Sequence, residues 1–306
     1  MAKQLITCIP NYSEGRRSEV IEAIVEPFRR TRECGLLDYR ADGDHNRLVV
    51  SLVGEFPHIQ EALLESAKVA IAKIDLRQHQ GGHPRVGAVD VIPFVPLRNV
   101  TMDHCVEMAH NFGRRYHRET GVPVYFYEEA ALRPERKRLE AIRRGQYEAL
   151  RSEITRPERH PDVGEAKLHS TAGATVIGAR KFLVAFNVNL ETSDLEIANE
   201  IARAVKAPGS GLAHVKAIGL PLKERGLVQV SMNVVDYEKN GLSPILEFIR
   251  MEAKKRGIAV VETEVYGMIP AAALLDSASS YMQIADFDPR QVIELRLLEM
   301  LGDEEA

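Results

Sequence analysis

One order of strands and helices occurs twice along this chain of 306 residues, and it constrains the fold more than any other feature. In the first half, apolar periodicity predicts strand, helix, strand, strand, helix, strand between Leu5 and Val95. The second half repeats this order between Phe182 and Val265, with Pro244 at the start of its second helix. This order is the split βαβ signature of a ferredoxin-like sheet. We therefore predict an α+β protein of two ferredoxin-like (βαββαβ) subdomains, pseudo-repeated and facing each other across a cleft.

The segment between the two repeats breaks the pattern. It is predicted to contain a helix over Thr101–His117, a strand over Val122–Tyr127 and a charged, solvated helix over Arg133–Arg144. From Arg156 to Arg180 periodicity disappears, and Pro, Gly, Ser, Thr and other small residues dominate. A loop this long in a compact protein is usually functional or a domain linker. We expect this one to serve as both.

Prolines inside predicted elements give two further expectations. Pro27 lies within the first helical pattern, where it predicts a kink or an early end. Pro93 and Pro96 follow the start of the strand predicted over Val89–Val95, and they favour a strand at the edge of the sheet or one that ends early.

Composition argues against several classes of function. Lys and Arg total 40 against 44 for Asp and Glu, so the chain lacks the basic footprint of a nucleic-acid-binding protein. Cys8, Cys34 and Cys105 are far apart and contain no Cys-x-x-Cys pair, which argues against a disulfide framework and a thiolate zinc site. No segment approaches the ~20 apolar residues that span a bilayer, and the amino terminus does not resemble a signal peptide. We expect a cytoplasmic protein that binds small molecules, not nucleic acid or membrane.

Asparagines occupy unusual positions in the predicted strands. Asn11 follows the first strand of the first half, and Asn187 and Asn189 lie in the matching strand of the second half. Asn233 lies in a later strand. Because Asn is disfavoured in strands, these residues suggest amide recognition of a polar ligand. The alternative is that they satisfy backbone groups of nearby loops.

The densest group of chemically versatile side chains surrounds the segment Gly81–Arg85. His79 and His83 have the spacing of two zinc ligands on a helix, but the glycines and proline disfavour a continuous helix, so we expect no metal. Those residues instead predict a rigid loop that places His83 near Arg85. A titrating imidazole beside a guanidinium fork suits acyl or amidine transfer. A surface turn with a hydrogen-bonded histidine is the alternative.

Several long motifs, in the same order, resemble those of the glutamate formiminotransferase (formimidoyltransferase) family. The similarity runs from about Leu5 to the end of the chain, and the segments that carry it are Ile9–Gly15, Gly82–Asp90, Val122–Tyr127 and Gly178–Leu190. The resemblance implies an enzyme, a one-carbon transferase of histidine degradation. It would transfer the formimino group of N-formimino-L-glutamate to the co-substrate tetrahydrofolate, giving 5-formiminotetrahydrofolate and L-glutamate.

The same resemblance implies roles for particular residues. His83 would be catalytic, and we expect it to donate a proton to the departing amine with a pKa near neutrality. The implied folate-binding segment comprises Asp162, Val163, Gly164, Glu165, Ala166, Lys167, Leu168, His169, Ser170, Thr171 and Ala172. The candidate substrate-binding residues are Asn11, Asp42, Asn46, Arg85, Asn187 and Asn233. For Asp42 and Asn46 a plain β-turn is the alternative. Arg180 and Lys181 are further candidates for binding carboxylates, with a salt bridge at the strand entry as the alternative.

The family also suggests how the chain is organised. We expect an amino-terminal formiminotransferase subdomain over residues 1–179, a carboxy-terminal one over residues 180–306, and the folate in the cleft between them. We expect a stand-alone enzyme without a cyclodeaminase domain, and a homodimer. Formiminoglycine and 5-formyltetrahydrofolate remain open as donors, and a non-catalytic folate-binding module is the rival from another functional class.

Overall fold

A computed structural model describes residues 3–304. The chain divides into two compact units, one up to Arg180 and one from Lys181, and each is described by itself. Both units combine helices with a β-sheet, so the protein is of the α+β class. Within the described residues, no helix has the length and apolar character needed to cross a bilayer.

Over its described residues, the first unit contains a seven-stranded sheet and five α-helices. Its strands are β1 (Leu5–Cys8), β2 (Asn11–Tyr12), β3 (Cys34–Asp42), β4 (Arg47–Gly54), β5 (Val89–Arg98), β6 (Val124–Glu128) and β7 (Thr175–Ala179). Its helices are α1 (Ser18–Arg30), α2 (Phe56–Lys73), α3 (Met102–Thr120), α4 (Leu139–Ile142) and α5 (Gln146–Glu153).

β1 and β2 act as one interrupted strand, because both lie between β4 and β5. The sheet therefore runs β3, β4, β1 with β2, β5, β7, β6, and only the β5–β7 and β6–β7 pairs are parallel. Ile24, Leu63, Phe94 and Phe112 are fully buried between the sheet and its helices. Burial of each such side chain contributes on the order of 1.5–3 kcal/mol of hydrophobic stabilisation to the packing of the helices on this sheet.

The second unit contains a four-stranded antiparallel sheet. Its strands are β8 (Val184–Leu190), β9 (Val215–Leu222), β10 (Leu227–Val234) and β11 (Val260–Tyr266), in the order β11, β8, β10, β9. Its helices are α6 (Leu195–Lys206), α7 (Leu242–Lys255), α8 (Ala271–Met282) and α9 (Ile293–Glu304). In both units the first strand lies between the third and fourth strands of the predicted repeat, and the second strand lies beside the third.

The segment between the repeats differs from its prediction in two places. The predicted helix over Arg133–Arg144 is reduced to a short turn and the four residues of α4, because Arg136 is buried in an ion pair with Asp162 instead of facing solvent. The aperiodic stretch contains β7, a five-residue strand between β5 and β6. Such a short buried strand has no alternation to reveal it in the sequence.

Both Pro27 and Pro93 lie inside elements that continue past them. α1 continues past Pro27 and ends three residues later, at Arg30. β5 is a central strand despite Pro93. On one side Pro93 faces the break between β1 and β2, where no regular ladder exists, and on the other it pairs with Gly178 of β7. The strand also continues past Pro96 to Arg98.

Candidate active site

A pocket in the first unit brings together residues from three separate segments. Its empty volume is about 190 Å³, and it is lined by Asn11, Tyr12, Ser13, His45, Asn46, Arg47, His79, His83, Arg85 and Asp90. Four of the predicted site residues, His83, Asn11, Asn46 and Arg85, therefore lie around one pocket.

Close packing of a glycine sets the shape of this pocket. A Cβ on Gly81 would lie 2.3 Å from the carbonyl oxygen of His45, closer than any side chain can approach. The next residue, Gly82, donates its N–H to the Asp44 carbonyl at 3.1 Å. The glycine-rich loop thus lies directly against the turn between β3 and β4, and this contact places His83 beside that turn.

His83 is half-buried at the pocket wall. Burial of the imidazole, together with the positive charges of Arg47 and Arg143, lowers the pKa of His83 to about 2. The ring of His45 stands edge-on to it, with 6.4 Å between ring centroids. His83 is therefore neutral at neutral pH, and the expectation of a pKa near neutrality was wrong. A neutral imidazole can accept a proton, although a pKa this low makes His83 a weak base in the unliganded protein.

His79 lines the same pocket, but hydrogen bonds within the protein engage both of its ring nitrogens. Nδ1 accepts from the Arg85 Nε at 3.1 Å, and Nε2 lies 3.0 Å from the Asn46 carbonyl oxygen, to which it donates. Burial lowers the pKa of His79 as well. This geometry assigns one neutral tautomer to His79 and gives it a structural role.

All five N–H donors of Arg85 are used inside the protein. Nε and one Nη2 hydrogen go to His79, and the remaining hydrogens go to the Glu148 carboxylate and the Gln146 side chain. The Arg85 side chain is only 7% exposed. The sequence predicts that the Arg85 guanidinium binds a carboxylate of the substrate. In the structure its two Nη atoms instead bind the carboxylate of Glu148.

The two predicted polar residues beside the turn hold neighbouring side chains. The Asn11 Oδ1 accepts from Arg47, with 2.8 Å to Nε. The Asp42 carboxylate accepts from the His45 backbone N–H and lies 2.8 Å from its Nδ1. Although burial acts in the opposite direction, these hydrogen bonds lower the pKa of Asp42. Asp42 therefore orients His45. His45 lines the pocket, whereas Asp42 does not.

Asn46 connects the turn to two other segments. Its Oδ1 accepts from the Gly15 N–H and its Nδ2 donates to the Gln80 carbonyl, both at 2.9 Å. Its φ of 48° lies in the left-handed region, which Asn tolerates better than most residues. Asn46 thus lies in the turn between β3 and β4 and holds backbone groups there, which agrees with the plain β-turn that is the alternative for this residue.

A buried ion pair lies next to the His83 loop. The Arg143 guanidinium binds the Asp90 carboxylate, whose other oxygen accepts the Val86 N–H at 2.7 Å. Arg143 follows α4 and was not recognised from the sequence, because it stands among other arginines in a charged run. Its partner Asp90 lies in the segment Gly82–Asp90, which carries the family resemblance, so the sequence pointed to Asp90 and not to Arg143.

The predicted folate-binding segment has anchored ends and an exposed middle. At its start, Asp162 pairs with Arg136 at 2.6 Å and accepts the Phe126 N–H. At its end, the Ala172 carbonyl accepts the Ala88 N–H, five residues after His83. Gly164, Glu165, Lys167 and Ser170 are exposed, while Val163, Ala166, Leu168, His169 and Thr171 are half-buried. The segment therefore reaches the strand that carries the His83 motif and leaves its middle accessible to a ligand.

The remaining candidates lie in the second unit. The Asn187 Oδ1 accepts the Met232 N–H at 3.3 Å on the central strand β8, and Asn233 is exposed on β10. Lys181 forms ion pairs with Asp236 and Glu238, which is the salt-bridge alternative. In the described part of the chain, no group of three or more His, Cys, Asp or Glu side chains is arranged to hold a metal ion.

Comparisons with known proteins give the same family for both units. The family described as "Formiminotransferase domain, N-terminal subdomain" matches residues 5–180, and "Formiminotransferase domain" matches residues 185–302. The chain is 44% identical to the glutamate formimidoyltransferase of Streptococcus pyogenes serotype M1, over 97% of this chain and 100% of that protein. It is 41% identical to the glutamate formimidoyltransferase of Thermoplasma acidophilum, over 96% and 97% of the two chains. It is 45% identical to the formimidoyltransferase-cyclodeaminase of Rattus norvegicus, over 91% of this chain and 52% of that protein.

Proposed function

Because this chain belongs to the formiminotransferase family, we propose that it transfers the formimino group of N-formimino-L-glutamate to tetrahydrofolate, a reaction of histidine degradation and one-carbon metabolism. The products are 5-formiminotetrahydrofolate and L-glutamate. The observation that carries this proposal is the 44% identity to a glutamate formimidoyltransferase along that protein's whole length. The pocket around His83 adds a group that can move the proton which the transfer requires.

His83 acts as a base first and as an acid second. The attacking amine of the co-substrate bonds to the amidine carbon and must lose a proton, which the neutral His83 accepts. The imidazolium then donates that proton to the glutamate nitrogen as the carbon–nitrogen bond breaks. The proton count is balanced, and no protein nucleophile is needed. General acid–base catalysis contributes roughly 10² to 10⁴ in rate when the pKa of the group lies near the operating pH. In this proposal the carboxylates of the bound substrate offset the charges of Arg47 and Arg143 and raise the pKa of His83 toward that range.

The roles proposed for the other residues follow from their contacts. The exposed residues of the segment Asp162–Ala172 contact the folate, while Asp162 itself holds the segment to the sheet through Arg136. Asn11, Asp42 and Asn46 shape the pocket through the hydrogen bonds that they make to Arg47, His45 and the backbone. Their contribution to substrate binding is therefore indirect.

The identity of the donor is tested by steady-state kinetics with the purified protein. The values of kcat/KM for formiminoglutamate, formiminoglycine and 5-formyltetrahydrofolate as donors should rank formiminoglutamate first. A higher value for either of the others would reassign the donor. Absence of transfer from all three, with folate binding intact, would favour a non-catalytic folate-binding module.

The role of His83 is tested by His83→Ala, with His58→Ala as the control, because His58 is a half-buried histidine on α2 that does not line the pocket. The His83 variant should lose roughly 10² to 10⁴ in kcat while its affinity for a stable folate analogue is kept. The control should match the wild type. Near-normal kcat for His83→Ala would exclude the proposed role.

Three further features belong to this proposal. The strand orders of the two sheets support a ferredoxin-like pseudo-repeat, extended in the first unit by β6 and β7.

We place the boundary between the two formiminotransferase subdomains next to Arg180, where the compact units divide. The homodimer and the cytoplasmic location stay predictions. Light scattering during size-exclusion chromatography tests the first, and cell fractionation tests the second.

A further inference from the structure

An exposed carboxylate on α5 is joined to the pocket through a buried guanidinium. The Glu148 side chain is 62% exposed, whereas the Arg85 side chain is 7% exposed. The two form a bidentate pair, with oxygen–nitrogen distances of 2.7 and 2.8 Å. Because two parallel hydrogen bonds join the groups, the carboxylate restricts both the position and the rotation of the guanidinium plane.

The orientation of Arg85 decides which nitrogen of His79 carries the proton. Its Nε donates to the His79 Nδ1 at 3.1 Å, so that nitrogen must be unprotonated. The Nε2 then bears the hydrogen and donates it to the Asn46 carbonyl, 3.0 Å away. The tautomer of a histidine is set by the hydrogen bond at its other nitrogen, and here Arg85 supplies that bond.

The last contact of this series lies in the wall of the pocket. Asn46 is flanked by His45 and Arg47, and all three line the pocket with His83. The carbonyl that His79 holds belongs to a residue with left-handed backbone, so the hydrogen bond stabilises a turn conformation that costs free energy. The same turn is the surface against which Gly81 packs.

We infer that Glu148, Arg85 and His79 form a positioning chain, in which the exposed Glu148 holds the turn between β3 and β4 against the loop that carries His83. This inference rests on the proposed function, and it assigns a functional role to Glu148, which does not line the pocket. None of the three residues is a catalytic residue in this scheme. Their effect on the reaction is the placement of His83 relative to the reacting carbon.

The experiment compares Glu148→Gln with Glu65→Gln. Glu65 is a matched control because it is 63% exposed and forms an ion pair of 2.7 Å with Lys68. Glu148→Gln should lower kcat by roughly 10- to 100-fold, because small displacements of reacting groups are costly. KM should change by less than about threefold, since the exposed folate-binding residues are untouched. Glu148→Asp, which retains the charge, should recover part of the loss.

A spectroscopic readout accompanies the kinetics. In wild-type protein with ¹⁵N-labelled histidine, the His79 nitrogens should show the tautomer protonated at Nε2, and Glu148→Gln should shift the Nδ1 resonance or mix the tautomers. Equal kcat losses in Glu148→Gln and Glu65→Gln would overturn the inference, as would an unchanged His79 spectrum in the Glu148 variant. Because the spectrum does not depend on turnover, it tests the positioning chain even if the protein transfers no formimino group.

Discussion

Acidification should destabilise the first unit through His83. Its pKa in the folded protein is about 2, whereas an unfolded histidine titrates near 6.5. When the pH falls below the pKa of the unfolded state, His83 therefore binds a proton in the unfolded chain but not in the folded protein. Above that value His83 contributes nothing to the pH dependence, and below it the unfolded state gains free energy relative to the folded state.

The size of this effect follows from linkage. At pH 5, about 1.5 pH units below the unfolded value, each such group costs about 2 kcal/mol of folding stability. For a unit of this length, that corresponds to a melting temperature lowered by about 4–8 °C. His79 and His169, whose pKa values burial also lowers, add to the total in the wild type. The contribution of His83 is obtained by comparing the wild type with His83→Gln.

The assay measures melting temperatures of both proteins from pH 8 to pH 5. At pH 8 any difference between them reports packing, since His83 is neutral in both folded and unfolded chains. As the pH falls, the wild type should lose stability relative to His83→Gln by about 2 kcal/mol at pH 5. A titration of the His83 Cε1–H resonance in ¹³C-labelled protein should show no midpoint between pH 5 and 8.

Two results would refute the reasoning. If the melting temperatures of the two proteins stay parallel over this range, the folded and unfolded states bind the same number of protons at His83. A His83 resonance with a midpoint near 6.5 would show a normally titrating imidazole. His83 would then be available as a charged proton donor from the start, as the sequence alone suggested.

Three other substitutions test the architecture around the site. Gly81→Ala should lower kcat/KM by at least about tenfold in steady-state assays, because its Cβ would lie 2.3 Å from the His45 carbonyl oxygen and displace the loop. Asp162→Asn should lower the free energy of unfolding by roughly 3–5 kcal/mol in urea, because it leaves the buried Arg136 without its counter-ion. Lys167→Ala should weaken binding of a stable folate analogue in calorimetry without lowering the melting temperature, because this side chain is exposed. Each is contradicted by its own readout: wild-type kinetics for the first, wild-type stability for the second, and unchanged folate affinity for the third.

The sequence predicted most of what depends on local patterns. The periodicity of apolar residues located α3 to within a few residues, because a helix buries one face at a characteristic spacing. It failed at β7 and over Arg133–Arg144, where a short buried strand and a buried arginine depend on partners elsewhere in the chain. It also failed at Pro93, because whether a strand can contain a proline depends on the strand beside it.

The motifs, in their order, determined the family, and with it the expectation that His83 carries the chemistry. They also located the glycine-rich loop and the segment that ends beside it. These conclusions required no three-dimensional structure, because each motif is contiguous in the chain.

The charge state of His83 and the task of Arg85 were decided only by the tertiary structure. Arg47 and Arg143, which help to keep His83 neutral, lie far from it in sequence. Glu148, whose carboxylate binds the Arg85 guanidinium, lies 63 positions away in the sequence. Burial and electrostatic interaction depend on distance in space, so neither can be inferred from a motif that is contiguous in the chain.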